Sequence, residues 1–129
     1  MPLLKFHIYK GRSEQEVERL LDAAHDAMVQ SFEVPAGDRY QVVSEYRHPF
    51  LQAFDTGLDI PRTEKFVLLE VVSRPRSRQA KTSFYRNLSA ALEIRCGVQP
   101  SDVMVSFVEN SDEDWSFGHG RAQFLTGEL

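Results

Sequence analysis

Sulfur is scarce in this chain. Its 129 residues include a single cysteine, Cys96, which excludes an internal disulfide and leaves no thiolate cluster for zinc or an iron–sulfur centre. The four histidines, His7, His25, His48 and His119, show no metal-ligand spacing, so no metal site is expected. Long hydrophobic runs are missing too. No stretch approaches the roughly 20 apolar residues that cross a bilayer, and Lys5 interrupts the first apolar segment. No secretory or transit pattern is seen, so the expectation is a cytoplasmic protein without a membrane partner. Positive charge is not in excess either. Lys and Arg number 15 against 19 Asp and Glu, a net −4, which offers no electrostatic grip on nucleic acid or anionic lipid. There is no Gly-rich nucleotide loop, no nucleophile elbow around Ser44, Ser73 or Ser106, and no histidine partner evident for Cys96.

The chain does have the makings of one globular domain, with 42% apolar and 26% charged residues. Residues 3–9 alternate, with Leu4, Phe6 and Ile8 on one face and Lys5, His7 and Tyr9 on the other, as in a strand. Ser13 followed by Glu16 is a capping box. It opens a helix over about 13–32, in which Val17, Leu20, Leu21, Ala24, Met28 and Phe32 form one stripe. Val34-Pro35-Ala36-Gly37 breaks it, and a strand follows over about 40–46. The same order then recurs: an apolar strand over 66–72, a helix capped by Ser77 and stopped near Gly97, and a strand over 103–108. At a shift of 64 residues, Lys10-Gly11-Arg12-Ser13 falls on Arg74-Pro75-Arg76-Ser77, Asp38 on Asp102, and Leu20 on Phe84.

These matches predict an α+β fold built from two βαβ repeats, about 2–46 and 65–109, with an apolar tail over 110–129. A βαβ crossover makes its two strands parallel. Two such units related by a pseudo-dyad share a four-stranded mixed sheet with both helices on one face. Its central strands are antiparallel, which brings Pro2 near Arg74 and Arg76. The opposite face is expected to carry Leu3, Tyr9, Val67, Leu69 and Val71, with nothing in one small chain left to cover it, so oligomerisation is expected.

Four residues have the chemistry for a site at that end. Removal of the initiator methionine would leave Pro2 with a free secondary amine, able to act as base, acid or nucleophile near neutral pH. Arg74 and Arg76, just before a helix N-terminus, suit a carboxylate. Asp38, at the end of a turn, could position water or a substrate hydroxyl. Its repeat mate Asp102 is the better candidate for an ordinary turn role. His119, in a Gly-His-Gly turn beside Trp115 and Phe117, is a candidate pocket residue.

Taken together, Met1-Pro2-Leu3-Leu4-Lys5-Phe6, Asp38-Arg39-Tyr40-Gln41, Ser73-Arg74-Pro75-Arg76-Ser77 and Trp115-Ser116-Phe117-Gly118 through Phe124-Leu125-Thr126-Gly127 resemble the tautomerase superfamily over essentially the whole chain. Within that superfamily the resemblance is greatest to the malonate semialdehyde decarboxylases, the arginine pair being the sharper mark. The resemblance implies a homotrimer and a cofactor-independent enzyme. It implies catalytic roles for Pro2, Asp38, Arg74 and Arg76, and a pocket wall of Trp115, Phe117, Phe124 and Leu129. Departures are His119, which stands where those decarboxylases have an arginine, and the 47–62 loop, which on this reading faces the site. The implied partner is a small carboxylate, with malonate semialdehyde split to acetaldehyde and carbon dioxide. Two other readings use the same residues. One is a tautomerase or hydratase acting on 2-oxo acid enols or unsaturated acids. The other is a non-catalytic module that binds an acidic metabolite.

Overall fold

The structure is a computed structural model and describes residues 1–129. Strand β1 (Leu3–Tyr9), helix α1 (Glu14–Phe32) and strand β2 (Tyr40–Tyr46) form the first half. Strand β3 (Val67–Ser73), helix α2 (Arg78–Cys96) and strand β4 (Val103–Glu109) form the second, and a one-turn helix α3 (Gln123–Thr126) lies in the tail. Helix α1 starts where its sequence dictates. The Ser13 hydroxyl accepts from the Glu16 N–H, and the Glu16 carboxylate accepts from the Ser13 N–H. Ser77 caps α2 through the Ala80 N–H. Gly97, at φ 67°, ends it in the left-handed region that glycine enters without steric cost.

The strand order is β2-β1-β3-β4. The outer pairs are parallel and the central pair antiparallel, with Leu3 opposite Val72. The pseudo-dyad arrangement is therefore the observed one, and the start of β1 lies beside the end of β3. Both long helices pack on one face. Their Leu20, Ala24, Met28, Phe84, Leu88 and Leu92 join Leu4, Phe6 and Ile8 of β1 in the core. No helix is long and apolar enough to cross a membrane.

The faces of β3 differ from expectation. Val67, Leu69 and Val71 are fully buried under the helices, not on the open face. The register explains it: they pair with Ile8, Phe6 and Leu4, and directly paired residues point the same way. The open face instead carries Leu3, Lys5 and His7 with Leu68, Glu70 and Val72. At its centre His7 bonds to both Tyr46 and Glu70, at 2.7 Å each. Tyr9 does share that face but is buried, because the chain covers it: His48 stacks on its ring at 4.2 Å between centroids.

The covering segment is the connection between β2 and β3, which lies at the Tyr9 end of β1 and not at the Pro2 end. The 47–62 loop thus does not face the arginine pair of its own chain. Asp102 anchors it. This carboxylate is 1% exposed and accepts from the Thr63 N–H, at 2.7 Å, and from the Thr63 hydroxyl. The repeat mate of Asp38 is thus a structural residue.

Candidate active site

The crossover geometry brings three chain segments together at the Pro2 end. Pro2 is buried immediately before β1. Asp38 closes the turn before β2, its N–H donating to Pro35 O at 3.0 Å. His25, buried on α1, bonds to Ala36 O at 2.6 Å and ties that turn to the helix. Arg74 and Arg76 lie between β3 and the Ser77 cap of α2.

The terminal ammonium, here on Met1, sits 3.9 Å from Asp38 Oδ2. Burial lowers its pKa from the ordinary value. Asp38 opposes that shift, and Arg76 and Arg74 add to it. The chain terminus, the aspartate and both arginines therefore share one electrostatic neighbourhood, as the pseudo-dyad requires. Burial likewise lowers the pKa of Arg76, with Arg74 adding to the effect and Asp38 opposing it.

Each arginine has one hydrogen-bonding protein partner. Arg76 Nε donates to Ser73 Oγ at 3.0 Å, and Arg74 Nη1 donates to Asp112 Oδ1 at 3.0 Å. Ser73 is fully buried and donates in turn to Arg74 O. Three further polar atoms here are shielded from solvent without a protein hydrogen bond: Asp38 Oδ2, Arg74 Nε and Arg76 Nη2. A carboxylate oxygen and two guanidinium nitrogens without a hydrogen bond in one place are costly for folding alone and make this end a candidate ligand site.

A cavity of about 410 Å³ opens beside this group, walled by Met1, Asp38, Tyr40, Phe117, Gln123, Glu128 and Leu129. Of the expected pocket residues, Phe117 and Leu129 line it directly. Trp115 stacks on Phe117 at 5.5 Å, and Phe124 meets Phe117 edge-on at 5.4 Å. Phe124 also lies under the Arg74 guanidinium, 3.8 Å from its ring centre. His119 stands apart. It occupies the exposed tip of the turn with φ 58° and is not on the cavity wall. Tyr40 and Gln123 are wall residues that the sequence reading passed over. The register signals Tyr40, since it pairs with Leu3 next to Pro2. Gln123 accepts from the Phe117 N–H and donates to Gly118 O, both at 2.9 Å, which fixes the aromatic segment over the site.

The family profile described as tautomerase enzyme matches residues 38–118. The probable tautomerase YrdN of Bacillus subtilis (strain 168) is 47% identical over 129 residues, the whole of both chains. The probable tautomerase YusQ of the same organism is 31% identical over 126 residues, 97% of this chain and 99% of its own. Among solved structures, a malonate semialdehyde decarboxylase with decarboxylase and hydratase activities superposes with a TM-score of 0.97 at 56% identity, covering 98% of each chain. A second malonate semialdehyde decarboxylase, inhibited by 3-bromopropiolate, gives 0.93 at 34% identity, covering 98% of this chain and 97% of its own. With a shared doubled βαβ fold, a matching profile over most of its length and relatives aligned end to end, the chain belongs to the tautomerase superfamily.

Proposed function

We propose that this protein, once Met1 is removed, is a cofactor-independent decarboxylase of a short β-oxo acid, malonate semialdehyde above all, working as a homotrimer. The observation that carries the reading is the convergence of the chain terminus, Asp38, Arg74 and Arg76, with unpaired cationic N–H groups on both arginines. The 56%-identical malonate semialdehyde decarboxylase supports the substrate.

The chemistry follows from the residue types. Arg74 and Arg76 hold the substrate carboxylate so that its bond to the methylene carbon stands perpendicular to the aldehyde plane. The Pro2 ammonium donates to the aldehyde oxygen and stabilises the charge that develops there. The breaking carbon–carbon bond supplies the electron pair of the enol, the oxygen takes the proton, and carbon dioxide departs. A proton from water then adds at carbon while the enol O–H returns its proton to Pro2, which gives acetaldehyde and restores the ammonium. At the Met1 amine Asp38 favours the charged form, against burial and the two arginines, and on this reading the same groups act on Pro2 once Met1 is gone. In a covalent variant, neutral Pro2 adds to the aldehyde, water leaves, and the iminium takes up the electron pair as carbon dioxide departs; the resulting enamine is protonated at carbon and hydrolysed to acetaldehyde and free Pro2. The arginines must serve orientation, because grip on the ground state alone does not accelerate the step.

One consideration favours the tautomerase or hydratase reading: the surroundings lower the pKa of the Met1 amine, and the same surroundings acting on a freed Pro2 would suit a neutral base. Nitrogen-15 titration of Pro2 in the processed protein separates the two. A Pro2 that stays protonated at the pH of turnover supports the polarising acid, and one that is neutral there supports the base. Release of acetaldehyde from malonate semialdehyde by homogeneous Met1-free protein tests the reaction itself. Binding without turnover in every assay would leave the non-catalytic module.

A further inference from the structure

The two arginines are held by different partners at different nitrogens, and this decides what each can offer a ligand. A guanidinium is a planar fork with two edges that each present two N–H groups, Nε with Nη2 and Nη1 with Nη2. Asp112 binds Arg74 only at Nη1. The Nε–Nη2 edge is left whole, and its Nε is one of the buried atoms without a protein partner. Phe124 takes one face of the same guanidinium. The ring fixes the plane and Asp112 fixes the rotation within it.

Asp112 is itself well placed to be a fixed reference. It opens a tight 3-10 turn, Asp112–Asp114, whose Asp114 carboxylate accepts from both the N–H and the hydroxyl of Ser111, at 2.8 and 2.9 Å. The Trp115 indole donates to Asn110 on the other side, at 2.8 Å. The side chains of Arg74 and Asp112 are 35% and 52% exposed. An ion pair so exposed adds little to stability, so the fold does not depend on it. What the pair does supply is a defined orientation for a long side chain that otherwise samples many rotamers.

We propose that Asp112 is a positioning residue for Arg74: it holds the guanidinium against Phe124 with the Nε–Nη2 edge free for the substrate carboxylate. This rests on the reading of Arg74 as the carboxylate holder. Asp112 touches no substrate in this role and acts through Arg74 alone, so its effect must vanish when Arg74 is gone.

The test is a double-mutant cycle of Asp112→Ala and Arg74→Ala in the full-length processed protein. The readouts are steady-state kinetics with malonate semialdehyde and calorimetric binding of 3-hydroxypropanoate, its unreactive alcohol analogue. Asp112→Ala is expected to raise KM and Kd about 5- to 20-fold and to lower kcat as well, since the guanidinium that holds the carboxylate also orients its breaking bond. Asp112→Asn, which keeps an oxygen acceptor, is expected to recover most of the loss, and Asp112→Ser, too short to reach Arg74 Nη1, serves as the working variant should the alanine protein fold poorly. In the Arg74→Ala background, Asp112→Ala is expected to change either constant less than about twofold. Equal losses in both backgrounds, or unchanged KM and Kd in a folded Asp112→Ala protein, would overturn the proposal. If no variant turns over malonate semialdehyde yet the binding cycle shows the expected coupling, the positioning role stands and the decarboxylase reading falls.

Discussion

Arg76 and Arg12 occupy matched loops of the repeat, yet only one lies beside a chain end. Arg12 donates to Lys65 O at 2.7 Å, and Phe66, in mid-chain, holds the position equivalent to Pro2. Arg76→Ala is therefore expected to cost about 2–4 kcal/mol of transition-state stabilisation, roughly 30- to 1000-fold in kcat/KM. Arg12→Ala and Lys10→Ala should leave turnover of the folded protein nearly unchanged. Comparable damage from Arg12→Ala and Arg76→Ala, with both proteins folded, would place the site elsewhere. Pro2 gives a second expectation. Pro2→Ala in processed protein keeps a primary amine and part of the activity, whereas retained Met1 or an acetylated terminus removes the titratable nitrogen and brings turnover to background. Mass spectrometry of the terminus alongside the assay checks it. Pro2, Asp38 and the arginines were legible because each is a distinctive residue type at a chain start, turn or loop. Tyr40 and Gln123 were not, because one reads as an ordinary strand residue and the other as a polar residue in a tail. Their role comes from strand register and from two hydrogen bonds that no local pattern encodes. His119 misled in the opposite sense: neighbouring aromatics suggested a wall, but its flanking glycines carry it out to the turn tip.

At the scale of elements, the helix starts were the clearest part of the sequence, since Ser13 with Glu16 and Ser77 specify their own caps. Ser13→Ala is expected to cost about 1 kcal/mol. The Glu16 carboxyl is held below the usual carboxylate range, first by the Ser13 N–H and then by its hydroxyl. A carboxylate pKa depressed by folding stabilises above its unfolded value, and that contribution is lost as pH falls through the lowered folded value. The stability difference between the parent and Glu16→Gln should thus be full near neutrality and fade in acid, as urea unfolding at a series of pH values would show. A difference independent of pH would contradict the capping box as its source. Strand β3 was less legible. Its run Val67-Leu68-Leu69-Glu70-Val71-Val72 is apolar almost throughout, so period two gives no face, and only the pairing with Leu4, Phe6 and Ile8 decides it. The cover over Tyr9 was hidden for another reason: the 47–62 segment has no periodicity, and its place depends on Asp102 gripping Thr63 across the fold.

For the whole molecule, the sheet still presents Tyr40, Val42, Met104 and Val108 on its open face, each at least 40% exposed, and Leu125 and Leu129 on the tail are exposed as well. The apolar side chains on the sheet flank the polar centre of Lys5, His7 and Glu70 and suit contacts with neighbouring copies. A closed ring of three copies is the expected arrangement. Sedimentation should show a trimer at micromolar concentration, and a stable monomer there would refute it. Removing residues 115–129 should damage assembly and activity together. The doubled architecture also has a stoichiometric consequence. Two unlinked βαβ halves would each begin with a free amine, whereas joining them turns the second beginning into the peptide bond between Lys65 and Phe66. The second set, Arg12 and Asp102, is spent on holding the connecting chain at Lys65 and Thr63. A substrate-like affinity label should accordingly saturate at one equivalent per chain, on residue 2 and not on Lys5, Lys10, Lys65 or Lys81. On the proposed reading, each chain holds one working end and one that has become scaffold.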